Sequence, residues 1–310
     1  MDLRQLKSFI AVAESGTLSR AADRLQLSQP GLSRQIQLLE AAVGQPLFDR
    51  HARGMSLTAE GEKLLERVRG PVRQLEGAID EARDAGANPA GRVVLGMVPS
   101  VSDLLAARLA LQLQQAYPDI SLRLVDGYGG HLLDWLYRGD IDLALMYGPG
   151  SEFHCPSREL FYEPLHLAGP PGQLCHERPS TIQAICDLPL VLPSTGHGLR
   201  GRVESAAHQA GRTLQVAMEV DSFRVMKALV SAGFGYTILP ASALREDVAT
   251  GRLSATAVEG PRLMRQIVLA QAPGLPPGRA TLCVAAQIRA LIESLIDQGE
   301  LAGALLAAKT

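Results

Sequence analysis

The sequence predicts an N-terminal all-α winged helix-turn-helix with a long linker helix, followed by a C-terminal α/β region folded as two lobes. Three observations carry the prediction. Residues 17–42, TLSRAADRLQLSQPGLSRQIQLLEAA, contain two short helical periodicities interrupted by a turn. Residues 58–83 keep a single apolar seam over more turns than a small bundle needs. From Arg92 onward, short apolar runs alternate with amphipathic stretches, as strands and helices do in an α/β sheet.

Size and composition set the frame. A chain of 310 residues suggests two or three domains with ample length for real cores. Hydrophobic content of 46% and a net charge of -2 fit an ordinary globular protein. No apolar run approaches the roughly 20 residues of a membrane span. Met1 to Leu6 is polar rather than a leader, and four uneven cysteines do not make a disulfide framework. The expected compartment is the cytoplasm, with no membrane partner.

Leu3, Leu6, Phe9, Ile10 and Ala13 form one stripe, giving a first helix over 2–14 that Gly16 ends. Thr17 can cap a second helix, in which Leu18, Ala21, Ala22 and Leu25 recur at helical spacing. Its two alanines let a neighbour cross closely. Gln26-Leu27 breaks the period and Ser28 can cap a third helix. Pro30 falls in the first turn of that helix, where a missing N–H costs nothing.

The third helix has two unlike faces. Leu32, Ile36 and Leu39 must face a core. Gln29, Pro30, Ser33, Arg34 and Gln37 form the other side, where a solvated face ordinarily carries Glu and Lys. Gln can bond adenine bidentately, Ser reads either base type, and Arg holds guanine or a phosphate. The surface therefore suits the edges of base pairs. After Gly44, residues 46–51 and 55–57 read as two short strands with Arg53-Gly54 at their turn. Such a wing offers Arg50 and Arg53 to a neighbouring minor groove. Arg20, Arg24, Arg34, Arg50 and Arg53 only slightly outnumber Asp23, Glu40 and Asp49, so charge alone argues nothing. The plain alternative is a surface helix of any three-helix bundle, beside solvated loop charges.

Thr58 can cap a helix running to about Arg83. Leu65, Val68, Val72, Leu75, Ile79 and Ala82 alternate along it in steps of three and four. A helix with one seam and nothing of its own domain to pack on calls for a partner helix. Leu65, Val68, Val72, Leu75 and Ile79 are the candidate dimerisation residues. Gly70-Pro71 should bend the helix. Residues 85–91, AGANPAG, read as a hinge.

These segments together resemble the LysR-type transcriptional regulators. The likeness rests on MDLRQLKSFIAVAESGTLSRAADRL, LSQPGLSRQIQLLEAAVGQPLFDR and RGMSLTAEG, and it extends over essentially the whole chain. GHLLDWLYRGDIDLALMYG and GFGYTILP look similar to the subgroup containing nitrogen assimilation control regulators. The resemblance implies a non-catalytic regulator without a cofactor, binding double-stranded promoter DNA. It implies linker helices paired into dimers, dimers assembled into tetramers, contact with RNA polymerase, and a small-molecule effector between the lobes. The DNA-site candidates are Thr17, Ser28, Gln29, Pro30, Ser33, Arg34, Gln37, Arg50 and Arg53.

In the α/β region, Val93–Val98, Ile120–Val125 and Ile141–Met146 read as strands of a first sheet, separated by helices over 101–116 and 131–137. Glu159–Leu167 reads as a fourth strand that leaves this sheet for another. Leu188–Leu192, Leu214–Val220 and Gly235–Leu239 are further strands, with helices over 199–210 and 223–232 between them. Leu263–Gln271 returns to the first sheet under a covering helix over 281–296, and Leu301–Lys309 is at best a short apolar helix. The arrangement resembles periplasmic binding proteins. Expected boundaries are 1–58 for the winged domain, 59–90 for the linker helix and hinge, and 91–310 for the lobes. Lobe 1 takes about 91–161 and 266–300, and lobe 2 about 162–265.

Open α/β sheets bind ligands at the carboxyl ends of their strands, where helix N-termini gather. Ser100 and Ser102 follow the first strand, Tyr128 and Gly129 the second, and Tyr147 the third. In the other lobe Ser194, His197, Ser222, Phe223 and Thr237 hold equivalent places. Each serine alone could equally be a helix cap; convergence on one cleft favours a site. The expected effector is a small anionic metabolite, held by N–H groups and hydroxyls. The resemblance supports Ser100, Ser102 and Ser222 most and His197 least, while Tyr128 stands where many relatives carry a small hydroxyl residue. His154-Cys155 and Cys175-His176 lack zinc-finger spacing, and no GxSxG, HExxH or P-loop is present. The rival from another class is a two-lobe solute-binding or enzymatic protein with an incidental N-terminal bundle.

Overall fold

A computed structural model describes residues 1–51, 54–83, 88–148, 154–259, 263–274, 276–301 and 303–307, without the side chains of 74 and 80–83. The chain divides into two compact units, Met1–Ala87 with Tyr137–Asp140, and Asn88–Leu136 with Ile141–Thr310.

In the first unit, α1 (Leu3–Ser15), α2 (Leu18–Leu25) and α3 (Gln29–Val43) precede a hairpin of β1 (Phe48–His51) and β2 (Gly54–Leu57) and the helix α4 (Ala59–Arg83). Asp2 and Gln5 close a reciprocal capping box on α1. Thr17 and Ser28 cap α2 and α3 through their hydroxyls. Phe9, Val12, Ala21, Ala22, Leu32, Ile36 and Leu39 make the shared core. The hairpin is fixed from two sides. The Met55 N–H donates to the Gly16 carbonyl at 2.8 Å, and the Glu40 carboxylate accepts from the N–H groups of Leu47 and Phe48 at 2.8 and 3.3 Å. Gly54 has a φ of +140°, and a Cβ there would stand 2.4 Å from the Gly16 oxygen. Only glycine fits.

Thr58 caps α4, its Oγ1 accepting from the Gly61 N–H at 3.0 Å and donating to the Pro46 carbonyl at 2.8 Å. The helix continues through Pro71. One expectation needs correcting here. The seam is not left wholly to a partner: Leu65 and Val68 pack against the bundle core and Val72 is buried. Leu75 and Ile79 stay exposed. α4 lies along α1, where Arg69 pairs with Glu14 and Glu76 with Lys7. The Ala82 side chain, Arg53 and residues 85–87 of the expected hinge lie outside the described residues.

The second unit contains β3 (Gly91–Met97), α5 (Pro99–Ala116), β4 (Ile120–Asp126), α6 (Gly129–Tyr137), β5 (Leu143–Tyr147) and the long strand β6 (Ser157–Gly169). There follow β7 (Ser180–Thr181), α7 (Ile182–Cys186), β8 (Leu190–Leu192), α8 (Gly198–Gln209), β9 (Val216–Glu219) and α9 (Phe223–Ser231). The chain ends with β10 (Thr237–Pro240), α10 (Ala241–Ala249), β11 (Ser254–Glu259), β12 (Met264–Gln271), α11 (Arg279–Asp297) and β13 (Leu305–Leu306). β7, α7, α10 and β11 are elements that the periodicity did not mark. Leu301–Lys309 also differs from expectation: Leu305–Leu306 pairs with Tyr162 and Phe161 of β6 as a short strand, not a helix. Its residues find open backbone groups on β6 and too few turns remain to nucleate a helix.

The sheet order β4-β3-β5-β12-β6-β11-β7 shows how the lobes are joined. β3, β4 and β5 are parallel, as βαβ units require. β6 pairs with β12 over Ser157–Pro164 and with β10 and β11 over Leu165–Gly169. One strand thus belongs to both lobes. Each lobe keeps its own core, one around Leu95, Leu105, Leu132 and Ile288, the other around Leu167, Val191, Val203, Met226 and Ile238. α5 and α11 cover lobe 1; α8 and α9 cover the short parallel pair β8-β9 of lobe 2.

Candidate functional site

The exposed face of α3 is built by its own core. Leu32, Ile36 and Leu39 are fully buried, which turns Gln29, Pro30, Arg34 and Gln37 outward and leaves Ser33 half-buried. Thr17 and Ser28 have their hydroxyls on the Arg20 and Gly31 N–H groups, so they fix helix ends beside that face. Among the described residues no carboxylate pairs with Arg34 or Arg50, whereas Arg24 is taken by Glu14 at 2.6 Å. Glu40 is turned to the wing backbone. The one carboxylate on α3 is thereby used structurally. The surface that remains is polar, singly charged and rigidly held, suited to hydrogen bonding along a groove.

In the second unit the loops after β4 and β8 meet the segment before α9, with Tyr147 at the end of β5 beside them. Ser100 is buried and its Oγ accepts from the Arg265 guanidinium at 2.6 Å. Ser102 and Gly129 are half-buried nearby in sequence, on the first turns of α5 and α6. The Tyr128 hydroxyl donates to the Asp221 carbonyl, joining the lobes. Ser194 donates to the Asp221 carboxylate from both its N–H and its Oγ, at 2.9 and 2.8 Å. Those two bonds hold Asp221 below the usual carboxylate range. Burial, with Asp221 and Tyr147 adding to it, pushes the Tyr128 phenol up.

His197 lies at the middle of this group. Its ring centroid is 5.4 Å from that of Tyr128, 5.7 Å from Tyr147 and 6.3 Å from Phe223, all edge-on. Its Nδ1 accepts from the Leu199 N–H at 3.2 Å, capping α8. Burial holds the imidazole below the ordinary histidine range, with Asp221 partly opposing. Nδ1 as acceptor and a depressed pKa agree on a neutral ring.

Two expectations shift. Thr237 is fully buried and its hydroxyl donates to the Met226 sulfur at 2.9 Å, which withdraws it from the cleft wall. Ser222 caps α9 through the Val225 N–H at 3.5 Å. The pair Arg265–Glu163 was missed altogether. Both side chains are fully buried and joined at 2.6 Å. They are direct partners in the β12–β6 register, and Glu163 also accepts from the Ser242 N–H at 2.9 Å. The signal was present: a charge inside each of two apolar strands, MRQIVLAQ and FYEPLHLAG, demands a partner. None of the four cysteines is joined in a disulfide, and among the described residues no three His, Cys, Asp or Glu side chains cluster as metal ligands. No helix among them is long and apolar enough to cross a membrane.

Residues 3–62 match the bacterial regulatory helix-turn-helix protein, lysR family, and residues 86–293 match the LysR substrate binding domain. The HTH-type transcriptional regulator BbuR of Bordetella bronchiseptica is 31% identical over 259 residues, 83% of this chain and 80% of that protein. The nitrogen assimilation regulatory protein nac of Escherichia coli is 30% identical over 304 residues, 96% of each. A full-length OxyR variant from Pseudomonas aeruginosa superposes with a TM-score of 0.76 at 26% identity, covering 93% of this chain and 98% of that one. These relatives are transcriptional regulators. With its helix-turn-helix and its two-lobe effector-binding domain both matched, the chain belongs to the LysR family of transcriptional regulators.

Proposed function

We propose that this regulator binds promoter DNA as a homodimer that assembles further to a homotetramer, reading bases with Gln29, Ser33 and Arg34. Thr17, Ser28, Pro30 and Gln37 border that contact, and Arg50 with Arg53 of the wing reinforces it. A small molecule bound between the lobes, against Ser100, Ser102, Tyr128, Gly129, Tyr147, Ser194, His197, Ser222 and Phe223, alters the spacing of the DNA-binding pairs and so the access of RNA polymerase. The protein acts in the cytoplasm, without catalysis of its own. The observation that carries the DNA reading is the outward, unpaired α3 face, Gln29, Arg34 and Gln37 over a core of Leu32, Ile36 and Leu39. A solute-binding protein with an incidental bundle loses its ground, because both parts of the chain match one regulator family.

A gel shift on the DNA flanking the protein's own gene, at two salt concentrations, tests the reading. Affinity should fall with salt at a log–log slope of about −0.9 per phosphate neutralised. Ser33→Ala and Arg34→Ala should each cost about 1–3 kcal/mol at one operator position. Unchanged operator affinity in both variants would reject the assignment of α3.

A further inference from the structure

One side chain of the protein itself spans the two lobes. His197, from the loop before α8 in lobe 2, presents a neutral imidazole to Tyr128 and Tyr147 of lobe 1 and to Phe223 of its own lobe. Gly198 brings the start of α8 close behind it: a Cβ there would stand 3.4 Å from the Tyr147 ring. Three aromatic rings around one flat heterocycle form a box with a defined thickness and rim. The rim is acidic, since Asp221 is held ionised by Ser194. Two buried cations lie nearby: Arg265, 5.8 Å from the Tyr147 centroid, is matched by Glu163, and Arg200, which donates to the Pro193 carbonyl, is matched by Glu204 and Glu219. Ser100 and Ser194 have their hydroxyls engaged within the protein. Among the described residues, both buried guanidinium groups beside the box are thus already neutralised by carboxylates.

Resting on the effector reading above, we propose that His197 is an intramolecular plug in an aromatic box whose external ligand is a small, flat, uncharged nitrogen heterocycle, which enters by displacing the imidazole. The class follows from the occupant. Edge-on aromatic contacts favour a polarised ring with an N–H, and the ionised Asp221 beside it accepts such a donor and repels a carboxylate or phosphate. The plug also couples binding to shape. His197 caps α8 and touches the other lobe, so its release frees a helix end and the Tyr128–Asp221 bridge together.

The test empties the box in the full-length protein and offers imidazole as the probe. His197→Ser removes the ring and keeps a good cap for α8; His197→Gly is a second variant that also caps acceptably. At ten times its dissociation constant, in about the millimolar range, imidazole should raise the variant's melting temperature by about 2–4 °C. The wild-type shift should be less than a quarter of that, and benzoate or inorganic phosphate should shift neither protein. Equal imidazole shifts in wild type and variant, or none in the variant, would overturn the plug. Stabilisation of the variant by benzoate or phosphate but not imidazole would overturn the ligand class and leave the cleft an effector site. Proton spectra of the wild type are independent of either variant folding. Of the seven histidine rings, His131 also has an aromatic neighbour, Trp135, so the His197 signal is identified by its partners. In wild type it should show nuclear Overhauser contacts to Tyr128 and Tyr147, and their absence overturns the proposal. Operator binding on the same preparations reads the regulator assignment separately.

Discussion

Gln26 is the one non-glycine among the described residues with a left-handed backbone, at a φ of 53°. It ends α2, its N–H donating back to Asp23 at 3.2 Å, and it allows Ser28 to start α3 two residues later. The tightness of the helix-turn-helix is bought at this residue, because an L side chain in that region costs roughly 1–2 kcal/mol. The side chain itself is exposed. Gln26→Gly should therefore stabilise the DNA-binding unit by about 0.5–1 kcal/mol after the entropy of a more flexible unfolded chain is set against the relief. Urea unfolding followed through that unit's transition measures it, and a loss of stability would show that the Gln26 side chain holds the turn.

At the scale of the element, β6 and β12 matter most, since they carry both lobes on one pair of strands. Burying Glu163 opposite Arg265 places a full charge pair between the lobes, with Ser242 of lobe 2 bonded to the carboxylate and Ser100 of lobe 1 to the guanidinium. Removing one partner leaves the other charge uncompensated, which costs about 3–5 kcal/mol. Glu163→Gln should accordingly destabilise the effector domain by about that amount in thermal or urea unfolding. Glu163→Gln combined with Arg265→Met should recover part of the loss, since no lone charge remains buried; additive losses would contradict the pairing. The same elements show what the sequence made legible. The α3 faces followed from period alone, because Leu32, Ile36 and Leu39 can lie only on one side of a helix. The loops after β3, β4 and β8 followed from the alternation of apolar strands and amphipathic helices. The partner of each polar group did not follow, because Glu163 and Arg265 stand 102 residues apart and only the strand register brings them together. Thr237 misled for the related reason that position on a strand says nothing of which way a hydroxyl finds its acceptor.

For the whole molecule, the decisive question is how many chains one operator engages. The apolar seam of α4 splits in a way its spacing could not reveal. Leu65 and Val68 pack on the chain's own bundle and Val72 is buried, while Leu75 and Ile79 remain 46% and 40% exposed. Two large apolar side chains four residues apart on one long helix are costly to leave in water, at about 25 cal/mol for each Å² of apolar surface, and a second copy of the helix is the simplest cover. Replacing them has little to disturb inside a single chain. Leu75→Asp with Ile79→Asp should leave the melting of both units nearly unchanged, within about 0.5 kcal/mol for exposed positions. Sedimentation should meanwhile show the assembly falling toward the monomer. Operator affinity should weaken by about 10²-fold or more, because two reading helices that arrive separately lose the effective concentration of a linked pair. An intact assembly with unimpaired operator binding would mean that the paired unit is held by other surfaces, and α4 would then be a spacer only.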